Sequence, residues 1–359
     1  MSEAKHIAIF LPSLRGGGAE RVMVMLANGF VERGHKVDLV LTRAEGPYLP
    51  EVCSAVRIVD LNKGRVLASL VPLARYLRRE RPHVLLSTLR HANTVAAMAH
   101  RLASSTARLI LREANHVSRS DFSGLTGRIN LLLYRWAYRS ADVIVGISEG
   151  VSEAVRELAQ VNNTRTIYNP INIERIVELS KKDDALTDKY KNRRFILGVG
   201  RLTKQKDFAT LLKAFSKMHP FADVDLVILG EGGLRSELEE LASRLGISER
   251  VFMPGFVANP YAWMRAAEVF VLSSAWEGFG NVLIEALACG TPVISTDCPS
   301  GPREILEDGK WGRLVPVADA DALASSIVSC LKTTQRYDFT ARLSDFSCEK
   351  ILSEYIKIL

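Results

Sequence analysis

The segment VFVLSSAWEGFGNVLIEALACGTPVIST (269–296) contains the pattern that decides the fold. It indicates a short apolar strand, a glycine-containing loop, an amphipathic helix that begins near Asn281, and a second apolar strand. Gly290 followed by Pro292 predicts where that helix ends. Continuous apolar strands joined through a helix are typical of a parallel sheet that is covered on both faces.

Strand-like and helix-like runs alternate in the same way along the whole chain. This alternation predicts an α/β protein with two doubly wound, Rossmann-like domains and an interdomain cleft. The polar segment 169–194 indicates a linker between them. We expect an N-terminal domain over residues 1–180, a C-terminal domain over 181–345, and a helix over 346–359 that packs back on the N-terminal domain. The predicted helices cover residues 19–32, 66–80, 93–103, 127–139, 207–218, 234–245, 260–266 and 281–289.

The composition is that of a globular protein from a reducing compartment. Hydrophobic residues make up 47% of the 359 residues and charged residues make up 24%. No run approaches the roughly 18 apolar residues that a transmembrane helix needs, and the N-terminus lacks a secretory signal. The five cysteines are scattered without a CxxC spacing, which disfavours a disulfide framework and a structural zinc site. We therefore expect a cytoplasmic protein.

The positive charge is concentrated in the first half of the chain. Residues 1–175 contain 24 Lys and Arg against 15 Asp and Glu, whereas the remainder contains 23 against 25. This asymmetry favours an anionic ligand or surface, although a solvated basic face has the same composition. Two basic amphipathic segments could dock on anionic lipid, and we expect much of Leu131–Leu133 in the second one to be core. Their basic residues are Arg75, Arg78, Arg79 and Arg81 in the first, and Arg128, Arg135 and Arg139 in the second.

Two loops of the second half have the chemistry of a site for a phosphorylated sugar. In LGVGRLTKQKDFATLLKAF (197–215), Arg201 and Lys206 follow a strand and precede a helix that Asp207 is suited to cap. Two cations beside a helix N-terminus can hold a diphosphate. The core face of that helix would carry Leu211, Leu212 and Phe215.

The second loop combines glycines with two acidic residues. Gly278 and Gly280 allow the backbone to approach a phosphate, and the N–H groups of Asn281–Leu283 would point at it. Because a carboxylate beside a phosphate is repelled, Glu277 and Glu285 are better suited to bind hydroxyl groups of a sugar and a ribose. An E-x7-E spacing alone is common, but in a glycine loop between a strand and a helix it is a strong indication of a ligand-binding site.

The triple glycine Gly16–Gly18 lies between the first strand and the first helix. It lacks the third glycine of a dinucleotide fingerprint, and Thr42 and Arg43 stand where a ribose-binding acidic residue is expected. Arg43 keeps an NADP-binding alternative open, whereas the absence of a Gly-Lys-Ser/Thr triplet excludes a Walker loop. The remaining interpretation of the triple glycine is a backbone loop directly before a helix, which suits an anion or a closely packed sugar.

Four segments together resemble the successive motifs of family 4 of the retaining GT-B glycosyltransferases. They are GVGRLTKQKDFATLLKAF, LGEGGLRSELEELASRLGI, VFMPGFV and EGFGNVLIEALACGTPVISTDCPSGPREIL. The resemblance covers nearly the whole chain, including GGGAER near its start and IYNPIN before the linker. It implies a glycosyltransferase that moves a hexose or N-acetylhexosamine, with retention, from a nucleotide sugar to a glycan acceptor. The segment DCPSGPREIL resembles members that use UDP-linked donors, and a polyprenyl-linked acceptor in cell-envelope polysaccharide assembly fits the basic first half.

The resemblance also implies roles for individual residues. Arg201 and Lys206 would bind the donor diphosphate and stabilise the leaving group, while Glu277 would bind the donor sugar. No protein nucleophile is implied, since the acceptor attacks from the leaving-group side and the departing phosphate takes its proton. The other donor-binding residues would be Gly17, Gly18, Gly230, Glu231, Phe256, Val257, Phe279, Gly280, Asn281, Val282, Leu283 and Glu285.

A histidine that members of this family often carry after the fourth strand is displaced here. In LILREANHVSR, His116 is the candidate catalytic residue, but it stands a few residues late, and a surface histidine is an equal alternative. Glu113 and Asn115 share its loop. His91 and Asn93, in STLRHANT, are further acceptor-side candidates.

No metal or other cofactor is expected. The triplet DVD (223–225) resembles the metal-binding D-x-D of other glycosyltransferases, but it starts a strand at the end opposite the expected cleft. The triplet DAD (319–321) indicates a helix N-terminus.

The expected partners are a nucleotide sugar, a lipid-linked glycan and the anionic inner membrane at its cytoplasmic face, with no nucleic acid. Three other functions are alternative interpretations of the same sequence. They are a sugar-nucleotide epimerase of GT-B fold, an NADP-dependent oxidoreductase, and a nucleic-acid-binding protein, for which no aromatic-basic module is evident.

Overall fold

The computed structural model describes residues 3–15, 17–182, 190, 193–218, 223–333 and 338–359. The chain forms two compact units, and the first is discontinuous in sequence. It contains residues Met1–Pro170 and Cys348–Leu359, whereas the second contains Ile171–Ser347. The boundary therefore lies at Pro170, earlier than the position that the polar composition indicated.

The first unit is built on a seven-stranded parallel sheet in the order β3-β2-β1-β4-β5-β6-β7. Its central strand β1 is buried along its whole length because every residue is apolar except the first. The strands are β1 (His6–Leu11), β2 (Lys36–Leu41), β3 (Arg57–Asp60), β4 (Val84–Thr88), β5 (Arg108–Glu113), β6 (Val143–Gly146) and β7 (Thr164–Thr166). The helices are α1 (Gly18–Glu32), α2 (Leu70–Glu80), α3 (Arg90–Leu102), α4 (Gly124–Arg139) and α5 (Glu149–Ala159), with 3₁₀ turns at Leu49–Glu51, Val66–Ser69 and Arg119–Phe122.

The second unit has a six-stranded parallel sheet in the order β10-β9-β8-β11-β12-β13. Leu211, Leu212 and Phe215 are fully buried against it, as predicted. The strands are β8 (Phe195–Val199), β9 (Asp225–Leu229), β10 (Val251–Gly255), β11 (Val269–Leu272), β12 (Val293–Thr296) and β13 (Arg313–Val315). The helices are α6 (Ile173–Ser180), α7 (Phe208–Met218), α8 (Arg235–Arg244), α9 (Pro260–Ala266), α10 (Asn281–Ala288), α11 (Pro302–Ile305), α12 (Ala320–Leu331) and α13 (Thr340–Leu343), with 3₁₀ turns at Ser248–Arg250 and Ser344–Phe346.

The last helix, α14 (Cys348–Ile358), packs against α1 in the first unit. Tyr355 and Phe30 meet edge to face with ring centroids 6.3 Å apart. Gly29 leaves room for Leu352, whose side chain occupies the space that a Cβ at position 29 would need. The apolar side of α14 is therefore part of the core of the first unit.

The segment that we expected to be a linker begins with a helix. Asn172 caps α6 by accepting a hydrogen bond from the Arg175 N–H at 2.9 Å, and Ile176 is buried. The helix packs against α9, where the Asn259 side chain donates to the Leu179 carbonyl at 2.9 Å. The linker prediction is wrong for residues 173–180, because two turns of helix are too short for a clear periodic signal beside the charged residues 181–184. Residues 183–189 and 191–192 of that segment lie outside the described residues.

A buried carboxylate ties the edge strand β3 to the sheet. Asp38 in β2 accepts hydrogen bonds from Arg57 Nε at 2.8 Å, Tyr76 Oη at 2.5 Å and His6 Nε2 at 2.8 Å. Burial alone would raise the pKa of Asp38, but the hydrogen bonds from Arg57, Tyr76 and His6 outweigh it and lower the pKa to about 2. The ionised form of Asp38 is therefore part of the folded structure.

Candidate active site

Lys206 and Glu277 form an ion pair in the second unit. Lys206 follows β8 and Glu277 follows β11, and these neighbouring parallel strands end at the same edge of the sheet. Lys206 Nζ lies 2.6 Å from Glu277 Oε1, and Ser274 Oγ donates to the same oxygen at 2.6 Å. The carboxylate is thus held by two donors at the edge where ligands bind in open parallel sheets.

Backbone bonds fix the two loops that carry this pair. Ser273 Oγ donates to the Lys206 carbonyl at 2.8 Å, and the Ala275 N–H donates to the Gln205 carbonyl at 2.8 Å. The Gln205 side-chain amide donates a hydrogen bond to the Trp276 carbonyl at 3.1 Å. Sequence analysis missed Ser274 and Gln205, whose only signal was their proximity to the ends of β11 and β8.

The two cations predicted to hold the diphosphate differ in how far they are buried. The side chain of Lys206 is 17% exposed and that of Glu277 is 8% exposed, whereas Arg201 is exposed. Asp207 accepts from the Thr210 N–H at 3.3 Å, which is consistent with its predicted role as the cap of α7. Lys206 is thus half-buried in its loop, where its ammonium neutralises a buried carboxylate.

The loop before α10 has the predicted bounds, with Gly280 in a left-handed conformation at φ 98° directly before Asn281. Phe279 is buried, and its ring meets Phe346 edge to face at 5.7 Å between centroids. The Leu283 N–H donates to the Gly280 carbonyl at 2.9 Å. The expectation that this N–H would point at a phosphate is therefore wrong, while Asn281 and Val282 are half-buried at the start of the helix.

Gly301 packs against the backbone of this loop. It has φ 91°, and a Cβ on it would overlap Phe279, lying 2.5 Å from the carbonyl carbon and 2.6 Å from Cα. Gly301 thus fixes the position of the backbone between Gly278 and Gly280. This contact connects positions 22 residues apart in sequence, and no local pattern indicated it.

Four of the other predicted donor-side residues of the second unit lie around the ends of β9 and β10, and the fifth, Glu285, lies in α10. The Gly230 N–H donates to the Gly255 carbonyl at 2.8 Å, and Glu231 pairs with Arg235 at 2.6 Å. The hydrogen bond from Arg235 lowers the pKa of Glu231. Phe256 is 80% exposed. Val257 and Glu285 are half-buried.

The predicted glycines of the first unit start α1. Gly17 precedes the helix and accepts a bond from the Arg21 N–H at 3.2 Å, and Gly18 is the first helical residue. Gly16 lies outside the described residues.

Two acceptor-side predictions are wrong because the residues are buried. Asn93 is fully buried and donates to the Arg112 carbonyl at 3.0 Å and to Tyr138 Oη at 2.9 Å. Glu113 is 1% exposed and accepts a bond from the Tyr138 hydroxyl. Burial raises the pKa of Glu113, which is the expected response of a carboxyl group away from water. Both residues support the sheet instead of facing a ligand.

The remaining acceptor-side candidates are accessible. His91 and Asn115 are exposed and line a cavity of the first unit. Partial burial, with a smaller contribution from the Arg90 cation, lowers the pKa of His91. His116 is half-buried in the same loop as Asn115.

The D-x-D triplet forms ion pairs at the start of β9. Asp225 is buried and pairs with Arg193 at 3.0 Å and with Arg250, while Asp223 pairs with Arg250 at 2.9 Å. Asp319 caps α12, as the DAD triplet predicted. Within the described part of the chain, no group of three or more His, Cys, Asp or Glu side chains is arranged to hold a metal ion.

The two basic segments of the first unit differ from the prediction in detail. Arg135 Nε donates to the Leu158 carbonyl at 2.8 Å and Arg139 Nε to the Ala159 carbonyl at 3.0 Å, so both arginines cap the C-terminus of α5. Leu132 is 64% exposed, which contradicts the expectation that the leucine run is mostly core. Over the described residues, every helix is too short or too polar to cross a membrane.

Comparison with known proteins identifies the class. Residues 16–175 match the family described as Glycosyltransferase Family 4, and residues 180–342 match Glycosyl transferases group 1. A relative from Campylobacter jejuni, named N-acetylgalactosamine-N,N'-diacetylbacillosaminyl-diphospho-undecaprenol 4-alpha-N-acetylgalactosaminyltransferase, is 34% identical over 99% of both chains. The lipopolysaccharide core biosynthesis glycosyltransferase LpsE of Rhizobium meliloti is 29% identical over 96% of both. The chain belongs to the family 4 glycosyltransferases, which confirms the resemblance.

Solved structures confirm the fold. Anabaena HepE, crystallised in complex with UDP, superposes with a TM-score of 0.81 over 99% of both chains at 23% identity. Sucrose-phosphate synthase from Thermosynechococcus elongatus gives a TM-score of 0.82 over 99% of this chain and 98% of its own at 20% identity. These structural neighbours are GT-B glycosyltransferases with two Rossmann-like domains, as predicted for this chain.

Proposed function

We propose that this glycosyltransferase transfers an N-acetylhexosamine or hexose from a UDP-linked donor to a lipid-linked glycan, with retention and without a metal. The Lys206–Glu277–Ser274 cluster at the end of the second sheet carries the proposal. Departure of a nucleoside diphosphate develops negative charge, and a fixed cation aimed at that charge stabilises the transition state.

The geometry of the cluster is compatible with this chemistry. An ammonium group has three N–H donors, so Lys206 can keep its bond to Glu277 while donating to a phosphate oxygen. Lys206 and Ser274 both bind Oε1 of Glu277, so Oε2 can accept a hydroxyl of the donor sugar. Exposed Arg201 provides a second cation that can move to the diphosphate. In a retaining reaction by attack from the leaving-group side, the departing phosphate oxygen accepts the proton of the acceptor hydroxyl.

The choice of substrates rests on the relatives. The Campylobacter jejuni protein is named for the transfer of N-acetylgalactosamine to a diphospho-undecaprenol-linked glycan, with an alpha linkage. An alpha product is what retention gives from an α-linked nucleotide sugar. A second relative from the same organism, 26% identical over 98% of both chains, is named for a similar transfer.

The test uses purified protein, UDP-, GDP- and ADP-sugars, and a polyprenyl-diphosphate-linked amino sugar as acceptor. We expect thermal stabilisation by a UDP-sugar, followed by product formation with an α-anomeric proton signal that appears from the first turnover. A β-anomeric product would refute retention, and stabilisation by GDP-sugars alone would refute the UDP assignment. Conversion of the donor without any acceptor would support the epimerase instead.

The same function requires docking at the cytoplasmic face of an anionic membrane, and α4 offers a surface for it. Leu125, Ile129 and Leu132 occupy positions i, i+4 and i+7 of α4 and are 79%, 54% and 64% exposed. They form an apolar stripe on one face of the helix, and exposed Arg128 lies beside it. An amphipathic helix of this kind binds the lipid interface through its apolar face, and each nearby basic residue contributes roughly 1 kcal/mol.

Sedimentation with vesicles tests this docking. We expect Ile129→Ser/Leu132→Ser to lose binding to vesicles that contain phosphatidylglycerol, while Ile58→Ser, which removes an exposed apolar residue from β3, keeps it. Equal binding of both variants would refute the role of α4, and equal binding of the parent protein to neutral vesicles would refute the electrostatic contribution.

A further inference from the structure

A cavity of about 630 Å³ lies within the first unit, between α3, α4 and the 3₁₀ turn Val66–Ser69. Its volume is in the range of roughly 300–1,000 Å³ that is typical of ligand pockets. Along α3 it is lined by Arg90, His91, Thr94, Val95 and Met98, so it follows the helix for about 12 Å at 1.5 Å per residue. The cavity is therefore elongated along α3, with Arg90 at the N-terminal end of the helix and Met98 at the other.

The walls away from that end are mostly apolar, apart from Thr94 and Asn130. Val66 and Leu67 come from the 3₁₀ turn, Val95 and Met98 from α3, and Leu133 from α4. An apolar cavity of this size favours a hydrocarbon ligand, since burial of apolar surface is the main source of affinity.

The polar end is suited to an anion. Arg90 Nη2 pairs with Asp121 at 3.1 Å, and its guanidinium lies over the Phe122 ring at 5.1 Å. Because a guanidinium has five N–H donors, Arg90 can bind an additional anionic oxygen. The N-terminus of α3, a helix of 13 residues, adds a favourable partial positive charge at the same end. Tyr134 also lines the cavity, and its buried hydroxyl finds no hydrogen-bond partner of ordinary geometry among the described residues.

The mouth of the cavity is continuous with the apolar stripe of α4. Leu67 and Leu133 line the cavity and are themselves 67% and 41% exposed. Leu133 lies one turn after Ile129 of the stripe, on the same face of α4, and exposed Arg65 directly precedes the turn that carries Leu67. A hydrocarbon chain that leaves a membrane beneath the stripe would thus meet Leu133 and Leu67 where it enters the cavity.

We propose that this cavity binds the hydrocarbon chain of the lipid-linked acceptor, with the lipid diphosphate near Arg90 and the first prenyl units along α3 toward Met98. The inference rests on the proposed function for the identity of the lipid, but its test is a binding measurement. The enzyme in this arrangement recognises the carrier lipid itself and distinguishes lipid-linked acceptors from free glycans of the same structure.

The test is calorimetric titration of the full chain with inorganic pyrophosphate and with dimethylallyl, geranyl and farnesyl diphosphates, which carry five, ten and fifteen carbons. We expect affinity to rise at least about tenfold from dimethylallyl to farnesyl diphosphate, because each added prenyl unit buries apolar surface. Met98→Trp fills the cavity and Leu67→Glu places a charge at its exposed mouth, so both should remove the dependence on chain length. Ile58→Glu, on an edge strand outside the lining, should keep it.

Three outcomes would overturn the inference: equal affinity for all four ligands, an unchanged chain-length dependence in Leu67→Glu, or the same unchanged dependence in folded Met98→Trp. Leu67 is exposed, so the result does not depend on tolerance of a core substitution. Chain-length-independent binding in an enzyme that still transfers sugar would refute the cavity assignment alone. Chain-length-dependent binding without sugar transfer from any nucleotide sugar would refute the proposed function alone.

Discussion

Replacing Gly301 by Ala should displace the loop that leads into α10. The backbone at Gly301 has φ 91° and ψ −61°, which lies outside the left-handed helical region, so an L-residue there pays at least the roughly 1–2 kcal/mol that the left-handed region costs. In addition, the new Cβ would lie within 2.5–2.6 Å of the Phe279 backbone carbons and closer to the carbonyl oxygen, whereas real Cβ atoms essentially never approach within 3.0 Å. The Phe279 backbone must therefore retreat by on the order of 1 Å, a displacement that can lower turnover by about 100-fold.

Gly309→Ala provides a matched control. Gly309 also has a positive φ, 98°, but its Cβ would meet only the Gly312 carbonyl oxygen at an ordinary 3.6 Å. A loss of transfer activity in Gly301→Ala that Gly309→Ala does not show then reports the displacement of Phe279 and not a positive φ as such.

The assay is kcat/KM for transfer, together with the affinity for UDP and the thermal midpoint of each variant. We expect Gly301→Ala to lose about 100-fold in kcat/KM relative to Gly309→Ala, while both fold. A difference of less than about threefold, with Gly301→Ala folded, would refute the reasoning that this glycine positions the donor loop.

Three further predictions concern charged groups. Lys206→Ala should lower the free energy of unfolding by about 2–3 kcal/mol because it leaves buried Glu277 without its cation. Arg201→Ala should change the free energy of unfolding by less than about 0.5 kcal/mol, and equal urea midpoints of the two variants would contradict this prediction. The folded pKa of Asp38 lies below its ordinary value of 3.8, so its contribution is present above about pH 4 and is lost as pH falls toward 2. The stability difference between the parent protein and Asp38→Asn, measured by urea unfolding, should therefore shrink by about 2 kcal/mol from pH 6 to pH 2, and a constant difference would exclude the linkage. Chelation with EDTA should leave the transfer rate unchanged within about twofold, since Lys206 supplies the positive charge, and a loss that Mg²⁺ restores would contradict a metal-free mechanism.

The central elements could be predicted because their signal is local. The strands in the middle of each sheet are continuous apolar runs, and α10 is bounded by Gly280 and Gly290, so its position follows from nearby residues. The missed strands β3, β7 and β13 all lie at sheet edges, where partly exposed positions accept polar residues and the apolar signal fades.

The prediction failed where long-range contacts decide the role of a residue. Asn93 and Glu113 stand in loops or at element ends, which suggested that they are accessible. Both are instead buried and hydrogen-bonded to Tyr138, which lies 25 residues after Glu113 in the sequence. Lys206 looks like a loop cation in sequence, and its burial follows from Glu277, 71 residues away. Such partners are brought together by the sheet order, which single-sequence patterns indicate only coarsely.

The discontinuity of the first unit sets an order for folding during synthesis. Residues 348–359 supply Ile351, Leu352 and Tyr355 to the core of that unit, but they follow the whole second unit in the chain. The second unit can complete its core while the first still exposes the apolar surface of α1 around Gly29 and Phe30. The first unit can thus complete its core only after the whole second unit has been synthesised.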